Sequence, residues 1–160
     1  MAERSLTVRS TLFADGDTIP ISAAHSMVGG ANTSPDLSWE AGPSGTRSYA
    51  ITCYDPDAPT TVGFSHWVLF DLAPSVTELN AGADGGGIAG FSDWGESRYG
   101  GMAPPAGDEP HHYRFTVYAL DLESLGVDHT TTYAKFRFLT RGHVLAEGTL
   151  TGRFGIAAKS

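Results

Sequence analysis

Alternating apolar and polar residues dominate the chain, and this pattern predicts β-strands. The clearest case is HHYRFTVYALDL, where every second side chain from position 111 lies on one face because side chains alternate along a strand. The apolar members mark this face as the core side, while His112 and Arg114 point away from it. The predicted core-facing row is His111, Tyr113, Phe115, Val117 and Ala119.

Other segments carry weaker forms of the pattern. YAITCY and HWVLFDLA are predicted strands, as are Leu6 to Phe13, a short segment that ends at Trp39, and TLTGRF near the C-terminus. In PSVTELN, Ser75 and Glu78 have the spacing of a capping box, which predicts a short helical turn. The segment TTTYAKFRFLTRGHVLAEG fits both a helical stripe and a strand.

Turn residues separate these segments. The chain contains 20 glycines and 9 prolines, and residues 82–107 form a predicted long, ordered loop. No internal repeat or linker interrupts the pattern. We therefore predict one domain over residues 1–160 that is dominated by β-structure, a sandwich with a few short helices.

Composition narrows the function classes. A net charge of −8 argues against nucleic-acid binding, although a pocket can be locally positive in an acidic protein. The start MAERSLTVRS has no signal-peptide character and no apolar run reaches membrane-spanning length, so we expect a cytoplasmic protein. Cys53 is the only cysteine, which excludes an internal disulfide, and its apolar neighbours predict a core residue rather than a nucleophile.

Ionisable or polar residues end three of the predicted core-facing rows. Asp55 shares a face with the core positions of YAITCY, and His111 begins the row described above. His66 shares a face with Val68 and Phe70. If these ends lie together, they form a polar cup at the rim of an apolar core, as in many small-ligand sites.

The cup would suit an anion. A carboxylate beside an imidazole favours the protonated ring. Protonated His66, His111 and the Tyr113 hydroxyl would then donate hydrogen bonds to a phosphate-like group. Asp55 or Asp57 could accept from an ammonium group, so a zwitterion would also fit. The glycines of YGGMAPPAG allow the backbone to approach a ligand closely.

Three other interpretations stay open. DPDAP by itself is a common turn motif. Two histidines and two aspartates could bind a metal, although no HExxH pattern or finger-like Cys/His spacing supports this. Ser65 beside His66 could indicate a hydrolase, but neighbours in a strand point in opposite directions and no GxSxG motif occurs.

Three motifs in order, YDPDAP, FSHW and YGGMAPPAGDEPHHYRFTVYALD, resemble the phosphatidylethanolamine-binding protein family. The similarity is greatest to its bacterial and archaeal branch, labelled Raf-kinase-inhibitor-like, and covers nearly the whole chain. It implies a Greek-key β-sandwich with a small pocket for phosphate-like groups, including phosphoethanolamine headgroups and phosphorylated side chains. It also makes DPDAP one wall of that site.

The resemblance assigns binding positions residue by residue. Phe64 stands where many relatives have tryptophan, Ala103 replaces the usual glycine, and His112 replaces the usual arginine but points away from the pocket. Whether the Ala58–Pro59 peptide bond is cis, as in relatives, stays open. The implied ligand-binding residues are Asp55, Asp57, Pro59, Phe64, His66, Gly101, Pro104, Pro105, His111 and Tyr113.

We therefore expect a non-enzymatic binding protein, without cofactor or metal, whose ligand is a small phosphate-like anion or a phospholipid headgroup. In this hypothesis Asp55 orients a histidine, and Asp57 holds the turn or meets a cationic group. The alternative is an interaction protein that inhibits a kinase or protease and uses the pocket for docking. A hydrolase ranks last because no activated nucleophile is visible. Monomer and homodimer are both compatible with the sequence.

Overall fold

The computed structural model describes residues 4–158, and most of its regular structure is β-strand. The helices are two short 3-10 helices, Ile21–Ala23 and Ser26–Val28, and one α-helix, α1 (Tyr133–Thr140). The strands are β1 (Arg4–Ser5), β2 (Val8–Arg9), β3 (Leu37–Trp39), β4 (Ser48–Asp55), β5 (Phe64–Leu72), β6 (Glu78–Leu79), β7 (Ile88–Ala89), β8 (His111–Leu120) and β9 (Val144–Phe154).

Two sheets pack face to face. The large sheet has the order β1-β9-β8-β4-β5-β7, and the small sheet has the order β2-β3-β6. All pairs are antiparallel except β1 with β9. The main core lies between the sheets, where Trp39 of the small sheet and Tyr49 of the large sheet form an edge-to-face pair at 5.6 Å. The β-dominated sandwich predicted from the sequence is confirmed.

A second, smaller core lies on the outer face of the large sheet, under α1. Phe136 of α1 is fully buried there and packs against the ring of Tyr118 at 5.3 Å. Thr132 caps the helix, its hydroxyl accepting from the Lys135 N–H. The segment that fitted both a helix and a strand therefore contains both, with α1 first and β9 after it. Within residues 4–158, no helix is long and apolar enough to span a membrane.

Two sequence predictions of local structure were wrong. The segment Leu6–Phe13 is not one strand, because the Asp36 carboxylate takes hydrogen bonds from Ser10 and Thr11 and ends β2 after Arg9. PSVTELN forms a turn followed by β6 instead of a helical turn, because Glu78 and its neighbour pair with β3. In both places, contacts distant in sequence outweigh the local signal.

The long loop between β7 and β8 is ordered by backbone contacts with other parts of the chain. The His25 N–H donates to the Met102 carbonyl, and the Phe91 N–H donates to the Thr131 carbonyl. The Gly100 N–H donates to the backbone carbonyl of His66. The loop is thereby held against the end of β5, where it completes a pocket.

Candidate functional site

A cavity of about 260 Å³ lies where β4, β5 and β8 end, closed on one side by the loop before β8. The structure brings together four of the polar residues selected from the sequence, and it surrounds them with apolar side chains. The lining residues are Asp55, Ala58, Pro59, Thr60, Phe64, His66, Trp94, Ala103, Pro104, Pro105, His111 and Tyr113.

His66 reaches this cavity through a β-bulge. Cys53 pairs with Trp67, while the next residue of β4 pairs with Ser65, so His66 is an extra residue in β5. The expected row of His66 with Val68 and Phe70 was therefore wrong. Val68 and Phe70 belong to the outer core under α1, whereas the bulge turns His66 towards the same side as Trp67.

The hydrogen bonds of His66 fix its tautomer. Its Nδ1 lies 2.8 Å from the Gly100 carbonyl oxygen, which can only accept. The Trp94 Nε1–H also lies 3.4 Å from Nδ1, but it has a shorter bond, at 3.2 Å, to the Gly101 carbonyl. The short bond to Gly100 therefore decides that Nδ1 carries the proton. Nε2 has no hydrogen-bond partner within residues 4–158 and is an acceptor in this tautomer. Burial lowers the pKa of His66 to about 4, despite hydrogen bonding to Gly100 and the nearby charge of Asp55. The expected protonated His66 is corrected: the ring is neutral at neutral pH.

Asp55 pairs with His111 and not with His66. Its Oδ2 lies 2.7 Å from His111 Nδ1, and its Oδ1 accepts from the Asp57 N–H at 2.8 Å. On the other side of the ring, His111 Nε2 lies 2.9 Å from a carboxylate oxygen of Asp108. Burial opposes protonation of His111, but the hydrogen bonds to both carboxylates outweigh it and raise the pKa. His111 is thus a charged ring clamped between two carboxylates.

Tyr113 supplies a free hydroxyl to the cavity. The side chain is 1% exposed, and its hydroxyl forms no hydrogen bond within residues 4–158. Burial, followed by the charge of Asp55, raises the pKa of Tyr113 well above its usual value, so the hydroxyl keeps its proton. Its ring packs edge-on against His66 with a centroid distance of 5.2 Å. Tyr113 is therefore a donor beside the acceptor Nε2.

Two residues selected from the sequence lie outside the cavity lining. Asp57 binds the backbone N–H and Nδ1 of His112 through Oδ2, at 2.8 and 2.7 Å, and so ties the DPDAP turn to the start of β8. Burial opposes ionisation of Asp57, but the bonds from His112 outweigh it and lower the pKa. Gly101 donates to Asn32 Oδ1 and packs against the backbone of Ala23 to His25. Both residues position the walls of the pocket.

The apolar rim includes one residue that the sequence reasoning missed. Trp94 lines the cavity, packs edge-on against Phe64 at 5.1 Å, and donates from Nε1 to the Gly101 carbonyl at 3.2 Å. Trp94 lies in the long glycine-rich loop. The unusual length of that loop was the only feature of the sequence that indicated a functional role for this region. Asp108 was missed as well, although it precedes His111 by three residues in a motif already singled out.

Three smaller questions from the sequence have direct answers. No cis peptide bond occurs in residues 4–158, so the Ala58–Pro59 bond is trans, the form that most X–Pro bonds prefer. No group of three or more His, Cys, Asp or Glu side chains in the described residues is arranged to hold a metal. Ser65 is buried without a hydrogen-bond partner for its hydroxyl and does not line the cavity.

Comparison with known proteins agrees with the motif resemblance. The family model for phosphatidylethanolamine-binding proteins matches residues 9–155. YbhB of Escherichia coli K12, a UPF0098 protein, is 40% identical over 150 residues, which cover 88% of this chain and 94% of YbhB.

Solved structures show the same relationship. The crystal structure of E. coli YbcL, described as a new member of the mammalian family, has a TM-score of 0.90 and 37% identity, covering 95% of this chain and 99% of that one. A carboxypeptidase Y inhibitor, solved with its cognate proteinase, has a TM-score of 0.54 at 20% identity over 96% of this chain and 83% of that one. The second likeness shows the fold alone. This chain belongs to the phosphatidylethanolamine-binding protein family.

Proposed function

We propose that this protein binds a small phosphate-like anion, free or as part of a headgroup or phosphorylated ligand, without converting it. The observation that supports this most is the pair of unpartnered polar atoms, His66 Nε2 and the Tyr113 hydroxyl, in one cavity of about 260 Å³. The cavity is large enough for a small polar group, and Phe64 and Trp94 form its apolar rim. Within the described residues, its lining contains no serine, cysteine or lysine, and the Thr60 hydroxyl is hydrogen-bonded to Gly63 and Val62, which favours binding over turnover.

The carboxylates affect which anion fits. The Asp55 carboxylate is hydrogen-bonded to His111, and the Asp57 carboxylate is hydrogen-bonded to His112. Neither carboxylate therefore has both of its oxygens available to bind an ammonium group. We therefore expect phosphoethanolamine to bind no more than slightly better than inorganic phosphate. Recognition then depends on the phosphate end of the ligand and on the apolar rim.

The test is an NMR titration of the histidine and tyrosine side chains with inorganic phosphate and with phosphoethanolamine. Saturable shifts of His66 and Tyr113 that vanish in Tyr113→Phe support the proposal. His129→Ala is the matched control, since His129 is exposed and lies outside the cavity lining. The absence of saturable shifts with either probe would contradict it. Release of ethanolamine or phosphate in the same tube would instead indicate an enzyme.

The alternative, an inhibitor of a kinase or protease that docks through the pocket, has one supporting observation. The carboxypeptidase Y inhibitor shares this fold and was solved with its proteinase. Inhibition of carboxypeptidase Y by this chain that is lost in Tyr113→Phe, together with no saturable shift on addition of free phosphate, would favour the alternative over a small-anion site. A cytoplasmic location, and the choice between monomer and homodimer, stay predictions that fractionation and light scattering would test.

A further inference from the structure

The hydrogen-bonding groups in the cavity are unusual for an anion site. No lysine or arginine lines it. The one charged donor, His111, has both ring nitrogens bound to the carboxylates of Asp55 and Asp108. Among the lining side chains of residues 4–158, what remains for a ligand is the Tyr113 hydroxyl as a donor and His66 Nε2 as an acceptor.

A phosphate group without a P–OH, such as the dianion of a phosphomonoester or of monofluorophosphate, does not match these groups. All of its oxygens are acceptors, so one would face the lone pair of His66 Nε2 in a buried cavity without a bridging hydrogen. A buried acceptor left without a donor costs about 1–3 kcal/mol, and more when it is charged. The nearby Asp55 carboxylate adds further repulsion for a dianion. One hydrogen between the ligand oxygen and Nε2 removes the mismatch.

The charged and titratable groups around His66 come from each neighbouring element. They are Asp55 on β4, Tyr113 and His111 on β8, and Asp93 in the long loop. Asp55 and Asp93 favour a proton on His66, whereas burial disfavours it and wins in the empty cavity. A bound anion adds negative charge and a hydrogen-bond acceptor next to Nε2. Both changes favour a proton between Nε2 and the anion.

We propose that the pocket takes its ligand with one hydrogen between a phosphate oxygen and His66 Nε2, and so selects a phosphate group that carries a proton over one that is fully deprotonated. This inference rests on the proposed anion binding. When the free ligand carries a P–OH, it brings this hydrogen with it and no proton is exchanged with solvent. When the free ligand is a fully deprotonated dianion, such as a phosphomonoester, the complex takes up one proton from solvent. Tyr113 donates to a second ligand oxygen in both cases.

The experiment is calorimetric titration with monofluorophosphate and with inorganic phosphate at several pH values, each in two buffers with different ionisation enthalpies. Monofluorophosphate has lost its P–OH between pH 6 and pH 8, so we expect uptake of about one proton per ligand bound and an affinity that falls about tenfold per pH unit. Inorganic phosphate is similar in size and keeps at least one P–OH over the same range. It should therefore bind with little proton uptake and with a much weaker dependence on pH.

His66→Gln is the matched variant, because its side-chain amide can donate a hydrogen bond without titrating. It should bind monofluorophosphate with no proton uptake, and its affinity should no longer fall with rising pH. Monofluorophosphate binding to the unmodified protein with no proton uptake at pH 8 would overturn this inference and leave the proposed function intact. Binding of neither probe at any pH would overturn both.

Discussion

At the residue scale, the two histidines that line the cavity, His66 and His111, differ in charge because they have different hydrogen-bond partners. His66 donates to a carbonyl in a buried position and is neutral, whereas His111 lies between two carboxylates and is charged. The carbonyl of Gly100 thus decides the tautomer of His66, and Asp108 helps to hold the charge of His111. These partners therefore determine which hydrogen-bond donors and acceptors the cavity presents to a ligand.

The neutral state of His66 makes the fold sensitive to acid. Its pKa is about 4 in the folded chain, against about 6.5 when unfolded, so the unfolded chain takes up the proton first as pH falls. Stability is therefore lost between pH 6.5 and pH 4, by roughly 3 kcal/mol in total. Urea unfolding at pH 7 and pH 4 should show this extra loss in the unmodified protein but not in His66→Asn. An equal loss in both would contradict the buried neutral ring; His129→Asn, at an exposed histidine, is the control.

Asp55→Asn should lower the pKa of His111, because it removes one of the two carboxylates that raise it. The raised pKa stabilises the fold below the unfolded value of about 6.5, and this contribution is lost as pH rises through the folded pKa. Removing Asp55 should therefore destabilise the protein mainly at acidic to neutral pH. NMR titration of the His111 ring measures the shift, with Asp84→Asn, an exposed carboxylate outside the cavity lining, as control. An unchanged pKa of His111 in Asp55→Asn would contradict the position of this ring between the Asp55 and Asp108 carboxylates.

At the element scale, the pocket depends on how strand ends and loops pack. The bulge in β5 turns His66 into the cavity, and the loop before β8 brings its hydrogen-bond acceptor. Gly101 allows that loop to lie against the backbone of Ala23 to His25, since a Cβ there would be 2.3 Å from the Ala23 carbonyl oxygen. The glycine in this motif is explained by backbone packing and not by direct contact with a ligand.

Gly101→Ala should destabilise the fold by roughly 1–3 kcal/mol, the usual cost of overpacking, because backbone atoms cannot move aside cheaply. The displaced loop should also weaken the Gly100–His66 hydrogen bond and change the ring pKa. Urea unfolding and the His66 titration measure the two effects. Ala103→Gly, in the same loop, is the control and should cost less than about 1 kcal/mol. A Gly101→Ala variant as stable as the unmodified protein would contradict the packing role.

At the scale of the whole molecule, the large sheet has a core on each face. The main core lies under the small sheet and the second under α1, so β4, β5 and the second half of β8 are buried from both sides, whereas the start of β8 exposes His112 and Arg114 on its outer face. The cavity lies at these strand ends, where both cores stop. The proposed anion site, in a chain of net charge −8, then depends on this local geometry and not on the overall field.

Cys53 reports on the integrity of this double core. It is 1% exposed, and burial, followed by the charge of Asp55, raises the pKa of its thiol well above the usual value. A thiol reagent should label it only at the rate of global unfolding, accelerating with urea. Ala41→Cys adds an exposed thiol and should label one equivalent at once. Rapid labelling of Cys53 in the native protein would contradict the two-sided burial.

Local periodicity predicted much of this fold. The alternation in β8 placed Tyr113 and Phe115 on the core side and His112 outside, and the structure confirms it. Periodicity failed for His66 because a bulge breaks the alternation that the argument assumed. The capping signal in PSVTELN failed because pairing with β3 outweighs it.

The sequence by itself determined the β-dominated class and the family, because alternation and ordered motifs are local properties of the chain. It also placed Asp55, His66, His111 and Tyr113 among the residues to examine. Only the tertiary structure decided that Asp55 binds His111, that Gly100 fixes the tautomer of His66, and that Trp94 and Asp108 complete the surroundings. The physical reason is that charge and tautomer depend on partners distant in sequence, and no local pattern specifies them.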